Sequence, residues 1–166
     1  LVAGNSALLL RNLWRSLRAR VTAAEADLIA RHLSGLSRGE ARLLLDAGEW
    51  VDLPDAEALS LEGQGVTHLS YLAEGSADVV HDGQVVAHCG PGRFVGEMTE
   101  PLGGPATATV LVAGQAKVWR IEGEALRQIA ARTDEMAREI DAAFARNYRD
   151  KLVQMNHLVA AGTVPY

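Results

Sequence analysis

Residues 90–98 read GPGRFVGEM, and a related segment, GGPATATV, follows over residues 103–110. Together they join a β-prone segment to a carboxylate, a turn and a second β-prone segment that carries hydroxyl groups. Gly96 lets a ligand approach the backbone closely. N–H groups at the start of a following helical turn would form an anion site, and Glu97 could accept hydrogen bonds from sugar hydroxyls. The pattern therefore indicates a site for a ribose phosphate.

The segments around this stretch are short, β-prone and separated by glycine, proline and Asp-Gly. Asp82-Gly83 is a strong signal for a two-residue hairpin. The predicted strands cover residues 50–53, 58–61, 68–73, 77–80, 85–88, 93–97, 107–112 and 117–121. Short strands at this spacing are typical of an antiparallel sandwich or barrel. We therefore predict a mainly β fold with flanking helices, namely an eight-stranded antiparallel β-roll (jelly-roll-like) with N-terminal helices and a long C-terminal helix.

Two capping boxes predict the helices that precede the strands. Thr22 with Glu25, and Ser37 with Glu40, each place a hydroxyl and a carboxylate three residues apart, which satisfies free N–H groups at a helix N-terminus. We predict helices over residues 22–34 and 37–47. The chain then divides into an N-terminal helical segment (1–47), a β-roll (48–122), a C-terminal helix (123–158) and a tail (159–166).

An apolar stripe follows the predicted C-terminal helix at spacings of four and three residues. Its members include Met136, Ile140, Phe144, Tyr148 and Leu152. Such a stripe must be covered, either by the β-roll or by a second subunit. Because a helix that reaches residue 157 extends beyond what a small roll covers, a homodimer through these five residues stands as an alternative to core packing.

Composition and charge exclude several function classes. The formal net charge of -5 argues against a general nucleic-acid binder, because such proteins usually carry a basic patch. Cys89 is the only cysteine, which excludes an internal disulfide and a multi-cysteine zinc site. The sequence contains no nucleophile-and-base motif, Walker loop or pair of catalytic carboxylates, so we predict no catalytic residue, no cofactor and no enzyme activity.

The first twenty residues combine an apolar run at residues 8–10 with arginines at 11, 15, 18 and 20. An apolar segment followed by basic residues resembles the cytoplasmic exit of a membrane helix. This interpretation predicts a cytoplasmic domain of a membrane protein, with a tether N-terminal to Leu1. The alternative is an amphipathic helix that packs on its own domain.

Two histidines suggest a different kind of site. His81 and His88 flank the predicted hairpin and could face each other across it. A cupin-type metal site on a β-roll would need such histidines beside a glutamate. The clustered histidine-and-glutamate motif of those folds is absent, so metal binding is the lesser alternative, and we predict no metal ligands.

From about residue 48 to residue 126 the pattern resembles the cyclic-nucleotide-binding domain of kinase regulatory subunits, gated channels and catabolite activators. The residues that match the phosphate-binding cassette of that family are Phe94, Gly96, Glu97, Met98, Pro105, Ala108, Thr109 and Val110. The resemblance implies that Glu97 holds the ribose 2′-hydroxyl, and that Gly96 and Met98 offer backbone N–H groups to the cyclic phosphate of cAMP or cGMP. The ligand-binding set that it implies is Val95, Gly96, Glu97, Met98, Ala106, Thr107 and Ala108.

One departure from the family concerns the charge of the phosphate. The cassette arginine, which pairs with the phosphate, is Ala106 in this chain. Since a hydrogen bond to a charged group contributes about 1.5–3 kcal/mol, its loss should weaken binding by about tenfold to somewhat over a hundredfold. Arg93 could supply the charge, although a surface arginine is the interpretation we favour from sequence. The hypotheses are therefore a regulatory sensor domain or a degenerate cassette that serves as a dimerisation or scaffold domain.

Across the whole chain the arrangement also resembles Popeye-type proteins and their bacterial membrane-bound relatives. The likeness is carried by the apolar-to-basic entry at residues 8–20, by Gly48-Glu49-Trp50, and by the helix through Asp150-Lys151-Leu152. It implies a cyclic-nucleotide-like domain behind membrane helices.

Overall fold

Two 14-residue strands form the centre of an antiparallel sheet. The computed structural model describes residues 23–96 and 104–160. Within these ranges, β3 (His68–His81) pairs with β6 (Thr109–Glu122) along most of its length. The other strands are β1 (Glu49–Leu53), β2 (Ala58–Ser60), β4 (Gln84–Cys89) and β5 (Arg93–Val95). β1 and β2 pair with β6, whereas β4 and β5 pair with β3.

The described residues contain six strands where the sequence predicts eight, because two pairs of predicted segments are continuous. Each long strand has a glycine with positive φ between its halves, Gly75 (φ 91°) in β3 and Gly114 (φ 84°) in β6. The register between β3 and β6 shifts around Glu74. These glycines produce bulges that bend the strands without ending them. The predicted fold class, a β-roll with flanking helices, is confirmed.

The Asp82-Gly83 hairpin is confirmed. Both residues have positive φ, 50° and 78°, as a type I′ turn requires, and His81 pairs with Gln84 at the start of β4.

Helices cover one face of the sheet. They are α1 (23–32), α2 (Arg38–Ala47), α3 (Gly123–Ala130) and α4 (Asp134–Ala160). α2 begins at the predicted capping box, in which the Ser37 hydroxyl accepts from the Glu40 N–H and the Glu40 carboxylate accepts from the Ser37 N–H. Thr22, of the other predicted box, lies outside the described residues. No helix in the described ranges is long and apolar enough to cross a membrane.

The two faces of the sheet bury separate clusters. Tyr71 and Trp119 face the helices and pack with α1 to α4. Their neighbours along the strands face the other way and form the roll interior, which we define as Leu72, Ala77, Cys89, Val95, Val110, Val112, Ala116 and Val118. Because side chains alternate along a strand, the pairing register decides which residues reach the roll interior.

The residues of the predicted dimer stripe do not all lie on one exposed surface. Met136 and Ile140 are 1% and 5% exposed and belong to the core beneath the helices, so they cannot contact a second subunit. Phe144 packs against the same core and Phe94, whereas Tyr148 is exposed. The side chain of Leu152 is not among those described. Core packing therefore accounts for the first half of the stripe.

We expect Gly75→Ala to lower the free energy of unfolding by more than Gly114→Ala. Alanine at positive φ costs about 1–2 kcal/mol at either position. A Cβ at Gly75 would also collide with the backbone carbonyl oxygen of Gln115, whereas a Cβ at Gly114 would meet nothing within 4 Å. The collision should add about 1–3 kcal/mol. Urea denaturation measures both losses of free energy of unfolding. Equal losses in the two variants would contradict the close contact between Gly75 and the Gln115 carbonyl.

Candidate functional site

The short strand β5 presents alternate side chains to the two sides of the sheet. Phe94 lies opposite Tyr71 and packs beneath the helices, whereas Val95 lies opposite Ser70 and belongs to the roll interior. Arg93 lies opposite Leu72, which is also in the roll interior. Directly paired residues of antiparallel strands project to the same face, so Arg93 and Val95 share the inner face.

Gly96 follows β5 at a position that only glycine fits. Its φ is 101°, and an added Cβ would lie 2.7 Å from the carbonyl oxygen of His68 and 3.0 Å from Cγ1 of Val66. Glycine at this position therefore lets the chain pass close to the backbone of β3, and the ligand approach predicted for Gly96 stays a prediction. Glu97 and Met98 lie outside the described residues, so their predicted roles remain predictions.

The second segment of the predicted cassette, residues 104–110, is held by backbone hydrogen bonds at Ala106. The Ala106 N–H donates to the Gln64 carbonyl and its own carbonyl accepts from the Gly63 N–H, both at 2.8 Å. Its methyl group is buried. Thr107 is exposed, and Ala108 is half-buried, its carbonyl accepting from the Ser60 hydroxyl. Ala106 therefore offers a ligand neither a charge nor a free backbone donor.

A loop over residues 62–67 contacts both described segments of the predicted cassette, namely Gly96 and residues 104–110. The Val66 N–H donates to the Gly104 carbonyl, and the Val66 side chain lies beneath Gly96. The Glu62 N–H donates to Oγ1 of Thr109 at 2.9 Å. Sequence reasoning missed this loop, for which the glycine pair at Gly63 and Gly65 was the available signal.

Arg93 is the clearest difference between the predicted and the observed site. Its side chain is half-buried, and its buried Nη1 has no hydrogen-bond partner within residues 23–96 and 104–160. Within the described ranges the guanidinium also has no ion pair. The interpretation of Arg93 as a surface arginine is wrong, because strand register turns it towards the roll interior.

The two histidines of the suggested metal site do not face each other. His81 lies opposite Gln84 and contacts Glu62 at 2.6 Å through Nδ1, whereas His88 lies opposite Asp78 and contacts it at 2.7 Å. The Asp82 side chain lies 3.6 Å from the other ring nitrogen of His81. Glu62, His81 and Asp82 thus converge at the hairpin tip. Since both ring nitrogens of His81 already face carboxylates, this cluster is better explained as a contact between the hairpin and the 62–67 loop.

Asn147 on α4 holds the outer edge of β5. It is 1% exposed. Its amide oxygen accepts from the Phe94 N–H at 3.2 Å, and its amide nitrogen donates to the Phe94 carbonyl at 3.3 Å. The side chain therefore pairs with the edge strand as a neighbouring strand would, and it fixes β5 between β3 and α4.

A polar cluster holds the turn that precedes β5. Nε2 of His32 lies 2.9 Å from the Gly92 carbonyl, and the His32 ring packs on Tyr71 and Phe94. Burial lowers the pKa of His32 and so favours the neutral ring. Its Nε2 carries the proton and donates, because the Gly92 carbonyl can only accept. Burial and the bond to Asp27 raise the pKa of Tyr71, while the Arg31 hydrogen bond lowers the pKa of Asp27.

We expect Asn147→Ala to loosen β5. The substitution leaves the N–H and the carbonyl of Phe94 unpaired, at about 1–3 kcal/mol for each group that stays buried. Urea denaturation should show the loss of stability, and hydrogen exchange should show faster exchange of the Phe94 amide. Gln128→Ala, which removes an exposed bond to Glu124, is the matched control. Unchanged protection of Phe94 would contradict the role of Asn147.

Both a family model and solved structures of cyclic nucleotide-binding proteins match this chain. Residues 50–133 match the family model of the cyclic nucleotide-binding domain. No curated protein sequence matches the chain significantly.

Among solved structures, the fold is similar to a cyclic nucleotide-binding domain from Methylobacillus flagellatus KT, with a TM-score of 0.69 and 20% identity over 79% of this chain and 76% of that one. The Thermus thermophilus catabolite activator protein aligns with a TM-score of 0.60 and 22% identity over 80% of this chain and 63% of its own.

A third similar structure is the regulatory subunit of a cAMP-independent protein kinase A from Trypanosoma brucei, as an E311A, T318R, V319A mutant bound to cAMP. Its TM-score is 0.58 at 24% identity, over 65% of this chain and 41% of that one.

Proposed function

Because this chain belongs to the cyclic nucleotide-binding domain family, we propose that its β-roll is a non-catalytic regulatory module that binds a cyclic nucleotide and that Arg93 meets the charge of the phosphate. The observation that carries this proposal is the buried Nη1 of Arg93 on the inner face of β5, which has no hydrogen-bond partner among the residues that the structure describes.

The guanidinium of Arg93 is a cation with a buried donor that no described residue accepts from. A buried charged donor without an acceptor is destabilising, whereas a hydrogen bond to a charged group contributes about 1.5–3 kcal/mol. A guanidinium also matches phosphate oxygens in a bidentate geometry. A phosphate inside the roll would therefore supply the acceptor that Arg93 lacks, in place of the arginine that Ala106 replaces.

The position of Arg93 is compatible with this role. It precedes Gly96 by three residues on the strand that leads into the cassette, and it shares its face with Val95. β5 is held on one side by β3 and on the other by Asn147, so the direction of the Arg93 side chain is constrained. Glu97 and Met98 complete the proposed site, with the roles that the family resemblance implies.

One of the similar structures holds cAMP. The Trypanosoma brucei regulatory subunit is cAMP-independent, and the variant with cAMP in its A site carries three substitutions, one of which introduces an arginine. For this chain we therefore compare the affinities for cAMP and for cGMP.

We expect Arg93→Ala to weaken nucleotide binding by about tenfold to a hundredfold, the equivalent of about 1.4–3 kcal/mol. Isothermal titration calorimetry with cAMP and cGMP measures the effect, and Arg93→Lys should be intermediate because it keeps the charge without the planar fork. Arg138→Ala is the control, since that arginine is exposed and pairs with Glu135.

The titrations test nucleotide binding and the role of Arg93 separately. Absence of heat with the wild-type chain would count against nucleotide binding altogether. Equal affinities of wild type and Arg93→Ala would leave nucleotide binding intact and remove Arg93 from the site.

A second candidate function is a scaffold or homodimer with an inactive cassette. It is favoured by the buried methyl group of Ala106 and by the exposed Tyr148 on α4. If the pocket lacks only its charge partner, Ala106→Arg should gain cAMP affinity over the wild type. The dimer surface would comprise the half-buried Phe144 and the exposed Tyr148, with Leu152 of the predicted stripe, whose side chain is not among those described.

We expect the wild-type chain to sediment as a dimer and Tyr148→Asp to sediment as a monomer, because a carboxylate at the interface would be desolvated without a partner. Tyr148 is a better position than Phe144, which packs on Phe94 at a ring-centroid distance of 6.0 Å. Arg138→Ala should remain dimeric in the same sedimentation-velocity experiment. A monomeric wild type would overturn the dimer proposal.

The membrane tether and the Popeye-type relationship remain proposals. Both depend in part on residues 8–20, which lie outside the described ranges.

A further inference from the structure

A cleft rich in arginine lies on the helix side of the sheet, apart from the roll interior. Its volume is about 280 Å³, and its walls are Arg31, His32, Gly92, Arg146, Arg149 and Asp150. α1, the turn before β5, and α4 thus meet around it. We call it the basic cleft.

The arginines of the basic cleft keep unused donors. Arg31 donates through Nε to Asp27 at 2.7 Å, and Arg146 donates through Nη2 to the His32 carbonyl at 2.7 Å and to Glu139 at 3.4 Å. Arg149 is exposed and forms no ion pair with the part of the chain that the structure describes. Since each guanidinium carries five N–H groups, most donors around the cleft have no acceptor among the described residues.

Two polar atoms of the residues around the cleft are buried and have no hydrogen-bond partner in the described part of the chain. They are Nε of Arg146 and Nδ1 of His32, a residue that is only 6% exposed. Because the Gly92 carbonyl can only accept, Nε2 of the neutral His32 must carry the proton, which leaves Nδ1 as an acceptor. The donors that the cleft offers a ligand are therefore the exposed N–H groups of Arg31, Arg146 and Arg149.

The exposed guanidinium groups match one ligand chemistry. Guanidinium groups bind phosphate oxygens through charge-assisted, often bidentate hydrogen bonds. A phosphate group offers three strong acceptor oxygens, whereas a carboxylate offers two, so a phosphate can engage more of the donors that line the cleft.

We propose that the basic cleft is a second anion site, which binds a phosphate group, either as inorganic phosphate or as a phosphomonoester. Asp150 lies in the wall, and Asp27 and Glu139 already pair with Arg31 and Arg146. These acids moderate the affinity and favour a ligand of low charge. A bound phosphate would link α1 to α4 beside Gly92, at the entry to β5.

The test is a titration of the full chain with inorganic phosphate and with glycerol phosphate, against chloride at matched ionic strength. Saturable shifts of the Gly92 amide in NMR spectra are expected, with dissociation constants on the order of 1 mM. The two ligands distinguish the sources, because tighter binding of the ester indicates a phosphomonoester and tighter binding of the inorganic ion indicates free phosphate.

Arg149→Ala should weaken this binding by about tenfold or more, since it removes a charge-assisted donor. It is preferred to substitution of Arg146, which also holds the His32 carbonyl. Arg138→Ala, on the same helix but outside the cleft walls, is the control. The proposal is overturned by the absence of a saturable shift, or by equal affinities of Arg149→Ala and Arg138→Ala. It is also overturned if binding survives Arg149→Ala and is lost in Arg93→Ala, since the phosphate would then occupy the roll interior.

Discussion

The antiparallel pairing of β3 with β6 supports every other element of the sheet. β1 and β2 extend it along β6, and β4 and β5 extend it along β3. One face of the pair is buried under the helices and the other lines the roll interior. A register slip of one residue would exchange the two faces, so the bulges at Gly75 and Gly114 must place each half of the strands on the correct side.

This register has direct consequences for the candidate site. Pairing of β5 with β3 turns Phe94 to the helices and turns Arg93 and Val95 to the roll interior. Asn147 secures the other edge of β5, and the 62–67 loop secures Gly96 and Ala106. The described segments of the cassette are thus held by parts of the chain that lie far away in the sequence.

The two proposed anion sites lie on opposite sides of one strand. Arg93 faces the roll interior, while Gly92, the preceding residue, lines the basic cleft. Although the net charge of the chain is -5, the described residues leave guanidinium donors without an acceptor at two places around β5. Local arrangement of donors, more than overall charge, governs the binding of small anions.

Features with a local cause could be predicted from the sequence. The Ser37–Glu40 capping box, the Asp82-Gly83 hairpin and the alternation of short β-prone segments depend on residues only a few positions apart, and the cassette pattern identified the family. Continuity of the strands across Gly75 and Gly114 could not be predicted, because a glycine marks a turn and a bulge equally well in sequence. The inward direction of Arg93, the Asn147 contact and the burial of Met136 also needed the folded chain, since each depends on which distant segment packs beside it.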